Sequence, residues 1–507
     1  MSARDGFDGL LLAEWTKLRS VSRWLITLFG AAVLTIGVSL LGAAGSRTDI
    51  NEHPNFVVGP YGDPVADSFA FVHQPVTGDA TLTLRVGSVT PLERPFEGEM
   101  GRDPMTRLDD KTPWGGAAAG IMIKDGTRGG TSYAAVLLSA THGVRLQSDF
   151  REDVGGTSGA APQWLRLTRT GATITGYQSV DGRNWTKIGA VTPAHLPPAA
   201  EIGFYVSSAP TMYVSRGAGS SSLTERSTSA TATFEHVDLA DGPAGAWRND
   251  TVLMQPDREI ENSTKRRGMQ GDFSESAGRY TVTGSGRVGP QEQDDDPVEA
   301  SLLGIIAGVM ALIAVGVLYA TSEYRRGMIR TTFAAVPRRG QVLAAKALVL
   351  GGVSFVLGII GVVAAYLVAR PMVRERGFAP PAFPDESISD PAVVRALLLS
   401  AAFMALLAMF AMAVGVLLRH SAAAITLTIV LVVLPVIVGS ILPGTLPRLL
   451  MYTTLAGGLA TQRAKPPTQT LAEPWSLIGP WAGIGVVAAY AAVALALAWW
   501  RLRRSDA

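Results

Sequence analysis

Chemistry would have to come from a small set of residue patterns, and most are missing. No lysine follows a glycine, so the Gly-Lys loop that cradles nucleotide phosphates is absent. Gly284-Ser285-Gly286-Arg287-Val288-Gly289 spells a dinucleotide fingerprint, but Pro290 and an acidic run stand where the helix facing a pyrophosphate would begin, and a Gly-rich turn is the reading adopted. The six histidines (His53, His73, His142, His195, His236, His420) lack the paired spacing of a zinc helix, and there is no cysteine. No Gly-x-Ser-x-Gly elbow occurs. Carboxylates are plentiful between residues 47 and 298, yet nothing nominates a glycosidase pair among them. No catalytic residue, no metal ligand and no resident cofactor is assigned, and the chain is not expected to be an enzyme.

The elements that carry any function are set by where charge is absent. Of 507 residues 47% are hydrophobic and 17% charged. Six windows hold no Asp, Glu, Lys or Arg: 24–46, 300–322, 347–369, 396–418, 421–447 and 474–500. Each exceeds the roughly 20 residues that a helix needs to cross a hydrocarbon layer of about 30 Å. Proton- and sodium-coupled carriers place ionisable groups inside the bilayer, so windows without them imply that energy for transport would come from elsewhere. The first window is longer than a secretory signal core and is read as an uncleaved anchor.

The expected fold class is a polytopic α-helical membrane protein of six spans with an inserted all-β extracytoplasmic domain, an antiparallel, jelly-roll-like β-sandwich. Its segments are 1–23 (an amphipathic elbow helix), 24–46 (span 1), 47–298 (the β domain, with an extra strand region 240–290), 299–322 (span 2), 323–342 (a cytoplasmic helical loop) and 343–369 (span 3). There follow 370–395 (an outer loop), 396–418 (span 4), 421–443 (span 5), 444–478 (an outer loop, re-entrant or ordinary), 479–500 (span 6) and 501–507 (a tail).

Charge chooses the orientation. The pieces 1–23, 323–346, 419–420 and 501–507 hold 14 Lys and Arg against 5 Asp and Glu, while the outer loops 370–395 and 448–473 hold 7 basic residues in 52 positions. By the positive-inside rule both termini are cytoplasmic, the large domain is outside, and the compartment is the plasma membrane. A net charge of only +2 hides this polarity and gives no reason to expect a nucleic-acid partner.

Local patterns fill in the rest. Phe7, Leu10, Leu11, Trp15 and Leu18 recur at helical spacing, suiting a helix at the lipid interface or a plain extension of span 1. Thr81-Leu82-Thr83-Leu84-Arg85-Val86, Trp164-Leu165-Arg166-Leu167-Thr168 and Ile202-Gly203-Phe204-Tyr205-Val206 alternate as half-buried strands do. Asp181-Gly182 is a hairpin signal. Residues 215–230 read as polar and uninformative, and Asp294-Asp295-Asp296-Pro297 as a solvated linker. Gly304 and Gly308 permit close helix packing, although chance supplies such pairs among 55 glycines. Pro435 suggests a kink in span 5.

Leu12-Ala13-Glu14-Trp15-Thr16-Lys17-Leu18-Arg19-Ser20, Thr321-Ser322-Glu323-Tyr324-Arg325-Arg326-Gly327-Met328-Ile329-Arg330-Thr331-Thr332 and Arg503-Arg504-Ser505-Asp506-Ala507 resemble type-2 permease subunits of bacterial, especially actinobacterial, ATP-binding-cassette (ABC) transporters. The resemblance implies an exporter working as a homodimer or heterodimer of permeases. Glu323, Tyr324, Arg325, Arg326, Gly327, Met328, Ile329, Arg330, Thr331 and Thr332 would dock, as a coupling helix, on a cytoplasmic ABC ATPase subunit that carries ATP and Mg. Gln163-Trp164-Leu165-Arg166-Leu167-Thr168-Arg169 with Ser179-Val180-Asp181-Gly182-Arg183-Asn184-Trp185 is similar to concanavalin-like lectin and glucanase sandwiches. That likeness implies an outer domain binding substrate, cell-wall glycan or a partner, with Trp114, Trp164, Asp181 and Trp185 as ligand candidates. The rival readings are a non-transporting, glycan-binding receptor or scaffold and a membrane-anchored glycoside hydrolase.

Overall fold

The computed structural model describes residues 7–45, 57–92, 106–108, 114–157, 161–217, 220–240, 245–252, 271–291, 294–325, 339–380, 383, 385–442, 445–469 and 471–504. Among the described residues the helices are α1 (Phe7–Ser20), α2 (Ser22–Gly45), α3 (Pro297–Ser301), α4 (Ile305–Arg325), α5 (Arg339–Glu375), α6 (Pro391–Leu418), α7 (Ser421–Gly439), α8 (Leu446–Thr453) and α9 (Pro480–Arg504). Six of them, α2, α4, α5, α6, α7 and α9, are long and apolar enough to cross a membrane.

Local chemistry fixes several boundaries. Pro391, whose missing N–H is no loss in a first turn, opens α6. Arg419 closes that helix in the left-handed region at φ 55°, its N–H on the Gly415 carbonyl. The His420 ring nitrogen accepts the Ala423 N–H and starts α7, so two residues reverse the chain. Asp296 caps α3 through the amides of Val298 and Glu299. α7 runs through Pro435 as one helix.

α6 is the hub. It is buried nearly all round, from Val393 to Val416, and packs against α4, α5 and α9, while α2 lies against α4 and α5. The apolar side chains left exposed, such as Ile26, Phe29, Val356, Ile360, Leu434, Ile437 and Val493, lie on the outer helices. After α8 the chain turns back inward, and Leu455–Gln462, a 3-10 segment, is buried throughout. A Cβ on Gly483 would stand 2.2 Å from the Gly457 carbonyl, and one on Gly458 2.3 Å from the Phe403 ring. Glycine at these positions lets the segment wedge against α6 and α9.

Among the described residues the all-β part comprises two seven-stranded antiparallel sheets and two of three strands. One large sheet runs Thr186–Val191, Thr173–Ser179, Gln163–Thr170, Ala80–Leu92, Ser229–Ala240, Arg279–Ser285, Asp272–Ser276; the other runs Arg248–Val252, Phe69–Thr77, Ala199–Ser208, Ala117–Lys124, Tyr133–Ser139, Gly143–Ser148, Glu152–Gly155. Alternation puts Leu82, Leu84, Leu165, Leu167 and Phe234 of the first against Val72, Ile121, Val136, Ile202 and Phe204 of the second, an apolar core between two layers. The second sheet is buried on its other face too: Phe69, Phe71, Met122, Tyr133 and Tyr205 pack with Val65 and Val288 of the small sheet Val57–Val58, Pro64–Asp67, Val288–Pro290.

Asp181-Gly182 does lie in a hairpin, and only the loop is longer than two residues: the paired strands end at Ser179 and resume at Thr186. The Asp181 carboxylate organises that longer loop by accepting the amides of Arg183 and Asn184 and the Ser179 hydroxyl. One other expectation changes: residues 211–217 and 220–226, polar and uninformative in sequence, are paired antiparallel strands, because a ladder satisfies backbone groups whatever the side chains.

A Cβ on Gly304 would lie 1.9 Å from the Thr35 carbonyl oxygen, and one on Gly308 2.0 Å from Thr35 Oγ1. Gly304→Ala is therefore expected to cost about 1–3 kcal/mol by overpacking. Gly352→Ala, with open space around it, should stabilise α5 by roughly 0.5–1 kcal/mol. Melting temperatures of the purified variants in detergent check both signs.

Candidate functional site

Two buried charge networks lie at opposite ends of the helical bundle. The first joins α1, α4 and α5. Lys346 on α5 donates to Glu14 Oε2 at 2.8 Å and to Glu323 Oε1 at 2.6 Å. The Tyr319 hydroxyl donates to the same Glu14 oxygen at 2.7 Å, its ring lies 5.0 Å from the Lys346 amine, and Lys17 also reaches Glu323. Two acids and two bases leave the set neutral, which is how a low-dielectric site tolerates charge. Glu323 is 1% exposed, and its Oε2 has no hydrogen-bond partner among the described residues. Burial, then the neighbouring Lys346 charge, lowers the Lys17 amine to about 8, against the opposing pull of Glu14.

Charge-free windows hid this network by construction, since Glu323 and Lys346 each lie one residue beyond a window that stops where charge begins. The available signal was helical phase, for α4 and α5 continue past the window edges and carry both side chains with them.

The second network overturns the reading of residues 294–296 as a solvated linker. Asp296 is 4% exposed; besides capping α3 it accepts the amides of Ala464 and Lys465 at 2.7 and 2.8 Å. Glu299 accepts Arg463 Nη1 at 2.6 Å and the Trp475 indole at 2.5 Å, while Arg395 donates to the carbonyls of Arg463 and Ala464. Every residue here is matched across a long sequence gap, so the local run Asp-Asp-Asp-Pro could not announce its partners. Burial raises the Glu299 carboxyl to about 7 and the Glu386 carboxyl likewise to about 7, with Arg463 and Lys465 respectively opposing the shift.

Of the coupling-helix residues, Glu323 sits in the first network, Tyr324 and Arg325 end α4, and Arg326 to Thr332 lie outside the described residues. In the β domain Trp164, near the start of an interior strand, meets the 180–185 loop that carries Asp181 and Trp185. Trp164 stacks on His236 at 5.2 Å and abuts Gly182, and the Arg166 guanidinium covers the Trp185 ring at 3.9 Å. Hydrogen bonds hold the exposed Asp181 carboxyl well below the usual carboxylate range, chiefly the Asn184 and Arg183 amides. Trp114 is elsewhere, against Gly289. The sequence reading did not nominate His73, buried between Glu201 (2.7 Å) and Asp250 (2.9 Å), or the fully buried Lys124–Asp67 pair at 2.7 Å. Among the described residues no group of three or more His, Asp or Glu side chains is placed to hold a metal ion.

No protein-family model matches the chain, and no curated protein matches it. Among solved structures, a functionally unknown protein from Saccharomyces cerevisiae is 16% identical with a TM-score of 0.21, covering 34% of this chain and 74% of its own. Scytalido-glutamic peptidase, solved with a peptide-based transition-state analogue, is 8% identical with a TM-score of 0.23, covering 43% of this chain and 98% of its own. At such scores neither likeness bears on fold or function here.

Lys346→Met would leave Glu14 with only the Tyr319 hydroxyl and Glu323 with only Lys17, with an expected loss of about 3–5 kcal/mol. Double replacement by Glu14→Gln and Glu323→Gln in the Lys346→Met background should recover part of it, measured by thermal unfolding in detergent. For the second network the sign follows from raised carboxyl values: the folded state holds protons that the unfolded chain has released above about pH 4.5. Stability from Glu299 and Glu386 is then full below that value and is lost as pH rises through about 7. Melting temperature should fall between pH 5 and pH 8, and the Glu299→Gln, Glu386→Gln double variant should flatten that fall.

Proposed function

We propose that the chain is the membrane-spanning permease subunit of an ATP-driven ABC exporter, paired with itself or a second permease, with ATP hydrolysed on a separate cytoplasmic chain. Its β domain, outside the cell, binds substrate, glycan or a partner protein. The observation that carries this reading is the first charge network. It ties the amphipathic helix α1 to the end of α4 and the start of α5, the two helices that flank the 326–338 segment. A push delivered to that segment by a soluble partner would reach α1, α4 and α5 together, because a neutral ion set that is costly to break moves as a unit.

Membrane placement rests on further features. Trp481 and Trp500 are exposed near the two ends of α9, 19 residues apart, or about 28 Å at 1.5 Å per residue, close to the hydrocarbon thickness. Arg503 and Arg504 stack on Trp499 and Trp500 at one end, where the positive-inside rule puts the cytoplasm. The inward-folded Leu455–Gln462 segment fits a re-entrant outer hairpin, since non-helical backbone at membrane depth is tolerated when it is buried in protein.

The test is co-expression with the products of the neighbouring genes, among which this reading expects a P-loop ATPase. Association, and ATPase activity that falls at least about tenfold on Arg326→Glu or Met328→Asp while the chain still folds, is the expected outcome. An unassociated chain, or activity indifferent to both substitutions, would favour the receptor reading. Polysaccharide cleavage by the full chain would favour the hydrolase.

A further inference from the structure

We propose that Lys124 and Asp67 condense through their side chains into a covalent amide, an isopeptide staple inside the β domain. The two residues end strands of different sheets, Ala117–Lys124 and Pro64–Asp67, and neither side chain is exposed at all. Lys124 Nζ lies 2.7 Å from Asp67 Oδ2 and also donates to the Thr131 carbonyl at 3.0 Å. Glu201 is the cross-strand neighbour of Lys124, but His73 and Arg248 already hold its carboxylate. Asp67 is therefore the acid that the amine meets.

The surroundings favour condensation over a lasting ion pair. Tyr133 and Phe150, both buried, place their rings 5.7 and 5.9 Å from the amine. Two charges held beside aromatic rings and away from water are costly, whereas an amide carries none. Asp67 Oδ2 also accepts the Gly130 amide at 2.7 Å, so a donor already stands where negative charge develops during attack. Only glycine fits at that donor position: φ is 80°, and a Cβ would lie 2.5 Å from the Val58 carbonyl oxygen. Asp67 Oδ1 has no hydrogen-bond partner among the described residues.

The step balances with no added reagent. One proton passes from the ammonium to Oδ1, leaving a neutral amine and a carboxylic acid. The nitrogen lone pair then forms the N–C bond to Cγ while Oδ2 takes up the negative charge. A second proton moves from nitrogen to Oδ1, the bond from Cγ to Oδ1 breaks, and water leaves. The amide keeps one N–H, with Oδ2 as its carbonyl oxygen, and nothing is oxidised or reduced. Groups fixed in contact on rigid elements react at effective molarities of about 10⁵–10⁸ M, which is the contribution of the two strand ends. The product ties residue 67 to residue 124 in a chain that has no cysteine for a disulfide.

This inference goes beyond the proposed function and needs neither a transported substrate nor an ATPase. The full-length protein, purified in detergent, is unfolded, digested with trypsin and read by tandem mass spectrometry. In most molecules the tryptic segments 48–85 and 112–128 are expected as one joined peptide, lighter than the two together by one water. Trypsin should leave the bond after Lys124 uncut, because acylation removes the charge it recognises, and fragmentation should place the link between Asp67 and Lys124. Lys124→Arg and Asp67→Ala should each abolish the joined peptide. A variant that fails to fold leaves the test intact, since the unsubstituted chain decides it. Recovery of the two segments mostly unjoined, with cleavage after Lys124, or a water loss mapped to other residues, overturns the staple.

Discussion

A lysine buried as a cation is costly unless its charge is met, and Lys346 is met twice, by Glu14 and Glu323. That requirement sets the geometry of one end of the bundle. The carboxylates come from different helices, so α1 cannot separate from α4 or α5 without stranding a charge, and Tyr319 locks the same Glu14 oxygen from beneath. The opposite end follows the same logic with other partners. There Arg463, 1% exposed, needs Glu299, and Asp296 serves as both helix cap and acceptor for the inward-folded segment. Between these ends the helices need only shape, which α6 supplies as a small-residue, buried hub.

The β part solves a different problem. Two sheets facing one another bury one side of each, yet one sheet carries apolar residues on both faces and is covered a second time by a three-stranded sheet. The covering strands lie next to residue 57 and residue 290, where the domain begins and ends. Its second core and the Lys124–Asp67 pair therefore lie on the side of that covering sheet, as does Trp114 against Gly289, whereas Trp164 and Trp185 belong to the opposite sheet and the loop beside it. Trp164 and Trp185 already have partners, His236 and Arg166.

Much of the architecture could be read from spacing. Uncharged stretches longer than a bilayer crossing become helices whatever surrounds them, and period-two alternation at Leu82-Leu84 or Leu165-Leu167 becomes one buried sheet face. Proximity was harder to read. Asp296 looked solvated because its own neighbours in sequence are acids, and the amides that neutralise it belong to residues 464 and 465. Glu323 looked like a surface contact because it opens a basic stretch, and only Lys346, 23 residues later, draws it inside.

The sequence by itself determined the division into apolar helices and alternating strands, since both follow from hydrophobic period and length, which are local quantities. It also fixed the distribution of charge between the connecting pieces. Only the tertiary structure decided which charges are buried and paired, and where glycine lets the 455–462 segment enter the bundle. Each of those depends on distances between residues tens to hundreds of positions apart, and electrostatic and steric energies are functions of that distance rather than of order along the chain.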